Sequence, residues 1–343
     1  MSKIKFLSVM IFYLCMQAQV SVAGIRLDNV SSVEVKKSVK ELTDTATVTI
    51  PATATLQGFM PIKNFVKVGD EIAISLGYFT EDGTIEPEDG IAVEFRGFVT
   101  EISADVPLVL SCDNMYELRK SNITQNFKNT TLKKVLEQIL PAGYTFETYD
   151  VSLGNYVVEN ASAFDVLAEV QQKYGLFCRL DGNHLRVKMA YDYASPQTHS
   201  YYLNGSNCNV KKNELVYRSV EQRKLRIKAI SKLANGSEIS VWVGNKYKDA
   251  SERTLHFFDI TSESELKKIA EAELAKASYD GFDGTVSGFG TPRTNPGDVL
   301  NIVNPENERQ NGSYMIEEVQ INYSSSAGFE RVNTLGFKLN IHN

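Results

Sequence analysis

The stretch that most constrains the fold runs from Leu110 to Met189, because it sets two short helices into a chain that otherwise reads as strands. Leu132, Val135, Leu136, Ile139 and Leu140 recur at helical spacing and form one apolar face. Thr130 or Thr131 stands where a hydroxyl can cap the first turn, and Pro141 and Gly143 stop the helix. A second helix opens at Ser162, with Asp165 three residues on as a variant capping box. Phe164, Leu167, Ala168 and Val170 supply its buried side, and Gly175 stands where a left-handed residue ends it. A hairpin follows over 176–189, with its turn at Asp181-Gly182-Asn183.

On both sides of this stretch the pattern changes to alternation. Ala46, Val48 and Ile50 share one face of a strand whose other face is Thr45, Thr47 and Thr49, and Pro51 ends it. The segments VKVGDEIAISLGY, IAVEFRGFVTEIS and VPLVLSCDN continue a unit of five or six antiparallel strands, which suggests a small barrel or sandwich. The acidic connector TEDGTIEPEDG lacks the ligand spacing of an EF-hand and reads as a solvated hairpin tip. Further on, VYRSVEQRKLRIKAIS and EISVWVG read as strands joined through Asn235-Gly236. A third helix opens at Ser262, with Glu265 completing a capping box. Leu266, Ile269, Ala270, Glu273, Leu274 and Ala277 lie on one side of it, and Gly281 ends it. Four more strands complete a second β unit.

The order of CDNMYEL, NTTLKKVLEQIL, ASAFDVLAEVQQKYG and LFCRLDGNHLRV resembles the middle of phage late-control protein D and the related tail baseplate hub proteins. The same module forms the base of type VI secretion spike proteins. The later order PGDVLNIVN, GSYMIEEVQINYS and GFERVNTLGF is similar to the C-terminal barrel of that family. The resemblance implies an α+β, mainly β chain: two tube-like antiparallel β-barrel units separated by a small αβ segment. It places an N-terminal hub domain at 1–112, an αβ insert at 113–200 and a C-terminal hub domain with one helix at 201–343. It also implies a structural role, a homotrimeric ring joining the tail tube protein to the central spike protein, with DNA only passing through the lumen. Such a protein is assembled in the bacterial cytoplasm and ends in the virion tail.

The residue chemistry agrees with a role that is not enzymatic. The net charge is -6 and no Lys/Arg block suggests a nucleic-acid grip, while a mildly acidic wall would repel phosphate. His184, His199, His256 and His342 have no partner at helical metal-binding spacing, and no nucleophile, zinc-protease or phosphate-loop motif occurs. GFDGTVSGFG lies between strands with no helix after it, so it is no phosphate cradle. The pairs Glu317/Glu318 and Glu86/Glu88 are the remaining acid–base candidates, but strand neighbours point to opposite faces. No catalytic, cofactor-binding or metal-ligating residue is therefore assigned. The sequons at Asn122, Asn129, Asn160, Asn204 and Asn235 are expected by chance in an Asn-rich chain. Cys15, Cys112, Cys178 and Cys208 form no CxxC; they read as buried free thiols, with two disulfides left open as the alternative.

The N-terminus carries two readings. Lys3, Lys5, the apolar run FLSVMIFYLCM and Ser21-Val22-Ala23 match a secretory leader. The same residues also read as a first strand whose alternation continues through Gly24 into Leu27, so that residues 1–23 stay as an inner strand. A cleaved leader would favour a secreted β-rich surface or adhesion protein, and a tail-associated glycan hydrolase is the third alternative. No other segment reaches 18 uninterrupted apolar residues, so no membrane insertion is expected.

Overall fold

The computed structural model describes residues 14–51, 54–56, 60–80, 90–104, 107–189, 192, 196–222, 224–233, 235–247 and 250–339. The first β unit comprises β1 (Leu14–Val22), β2 (Ile25–Leu27), β3 (Ser32–Ser38), β4 (Thr45–Ile50), two-residue β5 (Thr55–Leu56) and β6 (Met60–Pro61), β7 (Glu71–Thr80), β8 (Ala92–Ile102) and β9 (Leu108–Asp113). The αβ segment follows as β10 (Ile123–Thr131), α1 (Leu132–Ile139), β11 (Thr145–Thr148), β12 (Ser152–Ala161), α2 (Ala163–Tyr174), β13 (Phe177–Asp181) and β14 (His184–Lys188). The last part holds β15 (Thr198–Tyr202), β16 (Val210–Arg218), β17 (Leu225–Lys232), β18 (Glu238–Gly244), β19 (Ser251–Phe258) and α3 (Glu263–Ala277). It ends with β20 (Gly281–Phe289), β21 (Val299–Val303), β22 (Gly312–Ser324) and β23 (Gly328–Leu339).

The mainly β, α+β class holds, and the β units are fused. A 13-stranded sheet runs in the order β16-β20-β23-β22-β3-β4-β9-β8-β7-β1-β2, with β21 and β15 branching from β22. The junction is antiparallel β3–β22, in register at seven positions from Glu318↔Ser38 to Ser324↔Ser32. Among the described residues neither unit closes on itself as a separate barrel, because β3 and β22, which would be edges, pair with each other. Val33 and Val35 from β3 and Val319 and Ile321 from β22 enter one core that also holds Ile74, Leu110, Tyr201 and Ile302.

The first strand is a correction in part. β1 pairs with β7 at nine positions and buries Ala18, Val20 and Val22, as a strand should. The alternation does not run on through Gly24, however. Ala23 (φ 52°) and Gly24 (φ 75°) form a two-residue turn, and β2 folds back on β1 with Val22 opposite Ile25. Positive φ at both central residues gives the turn whose twist matches a tight hairpin. Residues 1–13 lie outside the described residues.

The αβ segment has its own core, which holds Leu132, Val135, Leu136 and Ile139 of α1 together with Val166, Leu167 and Val170 of α2. The capping box of Ser162 and Asp165 is formed, and Gly175 ends α2 in the left-handed conformation. α1 differs at its start. Thr131 is the N-cap but makes no side-chain cap bond, and the Leu132 N–H donates to the Val151 carbonyl at 2.8 Å instead. The expected hairpin is β13–β14, with only Gly182 and Asn183 between the paired ends Asp181 and His184.

The segment VYRSVEQRKLRIKAIS is not one strand. It splits at a 3-10 turn over Val220–Gln222 into β16, which joins the large sheet, and β17, which joins a separate sheet ordered β18-β17-β19. The sheet packs Ile227, Ala229, Val241 and Val243 against Leu266 and Ala270 of α3. Ser262 caps α3 through the Glu265 N–H, and the helix stops at Ala277, four residues before Gly281 opens β20.

Candidate functional site

The geometry that decides what this chain can do is the seam holding its two β units in one fixed relation. At its centre stands Glu94, the extra residue of a β-bulge: Ile74 and Ser75 of β7 oppose Phe95 and Val93 of β8. The bulge turns its carboxylate into the core, where it is 3% exposed. Arg331 of β23, 1% exposed, meets it with two guanidinium nitrogens. The Arg331 Nε donates to the Gly290 carbonyl at 2.7 Å, and Nη1 donates to the Thr294 carbonyl at 3.3 Å. Lys37 of β3 reaches Glu94 Oε2 and Asn295 Oδ1, both at 3.4 Å, and Arg293 Nε lies 3.0 Å from Glu94 Oε1. Three cations from three parts of the chain thus converge on one carboxylate. Burial pushes the Glu94 carboxyl up, but Arg331, Lys37 and Arg293 outweigh it and hold the carboxyl below its usual range. Burial pulls the Lys37 ammonium below its usual value, with Glu94 opposing.

An aromatic contact closes the seam beside this cluster. The Tyr78 hydroxyl accepts the Gly290 N–H at 3.0 Å, and its ring lies 5.3 Å from that of Phe329, which also meets Tyr323 edge-on at 6.3 Å. A side chain at position 290 would place Cβ 2.1 Å from the Phe329 ring, so glycine is what permits this approach.

A second set of contacts docks the αβ segment on the sheet through the β3–β4 turn. The Thr43 hydroxyl meets Asp113 Oδ1 at 2.5 Å and Asn114 Oδ1 at 2.7 Å, and the Asp44 N–H donates to Asn114 Oδ1 at 3.0 Å. From the segment, Gln171 Nε2 donates to the Lys40 carbonyl at 2.6 Å, and Arg179 donates to the Pro296 carbonyl at 3.3 Å. Asn114 Nδ2 donates to the Leu180 carbonyl at 3.4 Å. Burial lifts Asp44 to about 6, against the pull of Lys37 and Arg179, with Asp181 and Asp113 adding to the lift.

The residues weighed for chemistry are not brought together. His184 opens β14 and pairs with the Thr145 hydroxyl at 2.8 Å. His199 meets Asp298 at 3.2 Å, and the same carboxylate accepts the N–H groups of Gln197 and Asn295, which locks a turn. His256 lies against Gly175, and its burial lowers its pKa. Glu317 pairs with Lys40 at a bulge in β22, where the register shifts between Ile316 and Glu318, so the simple alternation of Glu317 and Glu318 is interrupted. Glu86, Glu88 and His342 lie outside the described residues. All four cysteines are free, Cys112 and Cys178 are buried, and burial pushes the Cys112 thiol up to about 12. Among the described residues no three His, Cys, Asp or Glu side chains are grouped to hold a metal, and no helix is long and apolar enough to cross a membrane.

No family model matches the chain and no curated protein matches it in sequence. Its fold, however, is that of solved phage tail proteins. A tail protein from Neisseria meningitidis MC58 superposes with a TM-score of 0.59 at 16% identity, covering 95% of this chain and 97% of its own. The 43 kDa tail protein of prophage MuSo2 from Shewanella oneidensis gives 0.59 at 15% identity, covering 94% and 98%. An E. coli component of the type VI secretion system, described as structurally similar to the T4 bacteriophage tail proteins gp27 and gp5, gives 0.53 at 9% identity, covering 94% and 77%. The fold is thus the one shared by these phage tail proteins and this type VI secretion component.

Proposed function

We propose that this chain is a structural baseplate hub subunit of a phage tail or related injection system, and not an enzyme. Three copies would form a ring joining the tail tube protein to the central spike protein, with DNA passing through the lumen. The observation that carries the reading is the seam. One sheet and one core run through both β units, so each chain presents the two as a single rigid piece. Three such pieces arranged head to tail present six comparable β units, which suits a six-fold tube on one side and a three-fold spike on the other. The whole-length fold likeness to tail proteins supports the same reading. The division into hub domains at 1–112 and 201–343 around an insert at 113–200 is part of this proposal, as are assembly in the bacterial cytoplasm and a final place in the virion tail.

The test is co-expression with the tube and spike proteins encoded beside the chain, followed by light scattering and electron microscopy. A three-fold ring bound to either partner is the expected result. A stable dimer, or a monomer that binds neither partner, would overturn it.

A further inference from the structure

The β18-β17-β19 sheet buries one face under α3 and leaves most of the other open. Lys228 of β17 stands opposite Trp242 of β18. The Arg226 guanidinium lies 4.6 Å from the centre of the Trp242 ring and the Lys228 ammonium 5.8 Å from it. Just past β18, Lys224 lies 5.5 Å from the ring of Tyr247. Trp242 is 48% exposed and Tyr247 68%, which is unusual for large aromatics on a strand and its adjoining loop. Arg226 pairs with Glu252 and Lys232 with Glu238, but Lys228 has no ion-pair partner among the described residues. β18 itself is an edge strand on the side away from β17. The far end of this face is closed, since His256 fits against Gly175 and Lys232 lies over the Tyr174 ring. What remains open is a patch of two aromatic rings held by cations, on a chain whose net charge is -6.

We propose that this patch receives the acidic β7–β8 connector, residues 81–89, of a second copy of the chain. The inference rests on the ring reading and names one of its protomer contacts. The connector carries Glu81, Asp82, Glu86, Glu88 and Asp89 and no Lys or Arg, so its charge complements Arg226 and Lys228. Ile85 and Pro87 between the carboxylates supply apolar surface for the Trp242 and Tyr247 rings. In a head-to-tail ring, a neighbour's connector can be brought to this face.

Trp242 is the only tryptophan in the chain, so its fluorescence reports this patch alone. A synthetic peptide of residues 79–91, titrated into the full-length protein, should give a saturable change in that signal. Affinity should fall at least about tenfold between low and 0.5 M salt, as screened charge contacts do. The Arg226→Glu/Lys228→Glu variant keeps the tryptophan and should lose the response at least about tenfold, with circular dichroism confirming its fold. A peptide with its five carboxylates replaced by amides should not bind. No response to the native peptide at millimolar concentration, an unchanged response in the charge-reversed variant, or tighter binding of a single-stranded oligonucleotide would each overturn the assignment. A ring seen by microscopy without a peptide response would sink this contact and leave the ring standing. A peptide response without a ring would keep the patch and count against the ring.

Discussion

Arg331 of β23 and Glu94 of β8 lie 237 residues apart in sequence and form a buried ion pair, each less than 4% exposed. The pair joins the first β unit to the last, and Lys37 and Arg293 attach β3 and the β20–β21 loop to the same carboxylate. Removing the Glu94 charge leaves Arg331 and Lys37 charged and buried without their partner, which costs about 3–5 kcal/mol. Glu94→Gln is the sharpest probe, because it keeps the shape and strands three cations. We expect a loss of that size in denaturant unfolding, with both β units still melting in a single transition. A loss under about 1 kcal/mol, or two separated transitions, would show that the seam does not couple the units.

The helical insert offers a test confined to its own core. Leu136 is fully buried at the centre of the α1 stripe. An unpaired carboxylate placed there cannot reach water, so Leu136→Asp should destabilise by more than about 4 kcal/mol or prevent folding. A soluble Leu136→Asp protein with an unchanged melting temperature would contradict this packing.

Much of this architecture was legible in sequence, and the losses have physical causes. Local signals survived: the α1 stripe, the Ser162–Asp165 box and Gly175 act within a few residues of each other. The fusion of the two β units was not legible, because β3 and β22 carry the same alternation whether each closes its own barrel or pairs with the other. The seam left a trace. Phe329, Arg331, Asn333 and Leu335 alternate as one inward face, and two polar residues on such a face signal a buried network. Glu94 left none, since the bulge that turns it inward depends on where β7 sits. The division of 216–231 between two sheets was also hidden, because a strand pattern does not say which sheet it joins.

Asp44 gives a pH test at the docking turn. Its folded value of about 6 lies above its ordinary 3.8, so the folded state holds this proton more tightly than the unfolded chain. The stabilisation is therefore complete below about pH 4 and is lost as pH rises through about 6. Asp44→Asn removes the titration. Relative to that variant, the native protein should lose about 1–3 kcal/mol of stability between pH 4 and pH 7. Parallel pH profiles for the two proteins would show that Asp44 is not held as described.

The last prediction concerns Gly290, where three seam contacts meet. Its N–H donates to Tyr78, its carbonyl accepts from Arg331, and its open side admits the Phe329 ring. A methyl group at this position would sit 2.1 Å from a ring carbon, well inside contact distance. The ring would have to leave Tyr78, or the backbone would have to leave Arg331, and such overpacking costs about 1–3 kcal/mol. Tyr78→Phe removes only one hydrogen bond and should cost about 1 kcal/mol. Phe329→Ala removes the clash partner, so Gly290→Ala should be nearly free in that background and the two losses should be strongly non-additive. Denaturant unfolding of the four proteins in this cycle measures the coupling. Additive losses would mean that Phe329 does not fill the space beside Gly290, and the aromatic half of the seam would have to be redrawn.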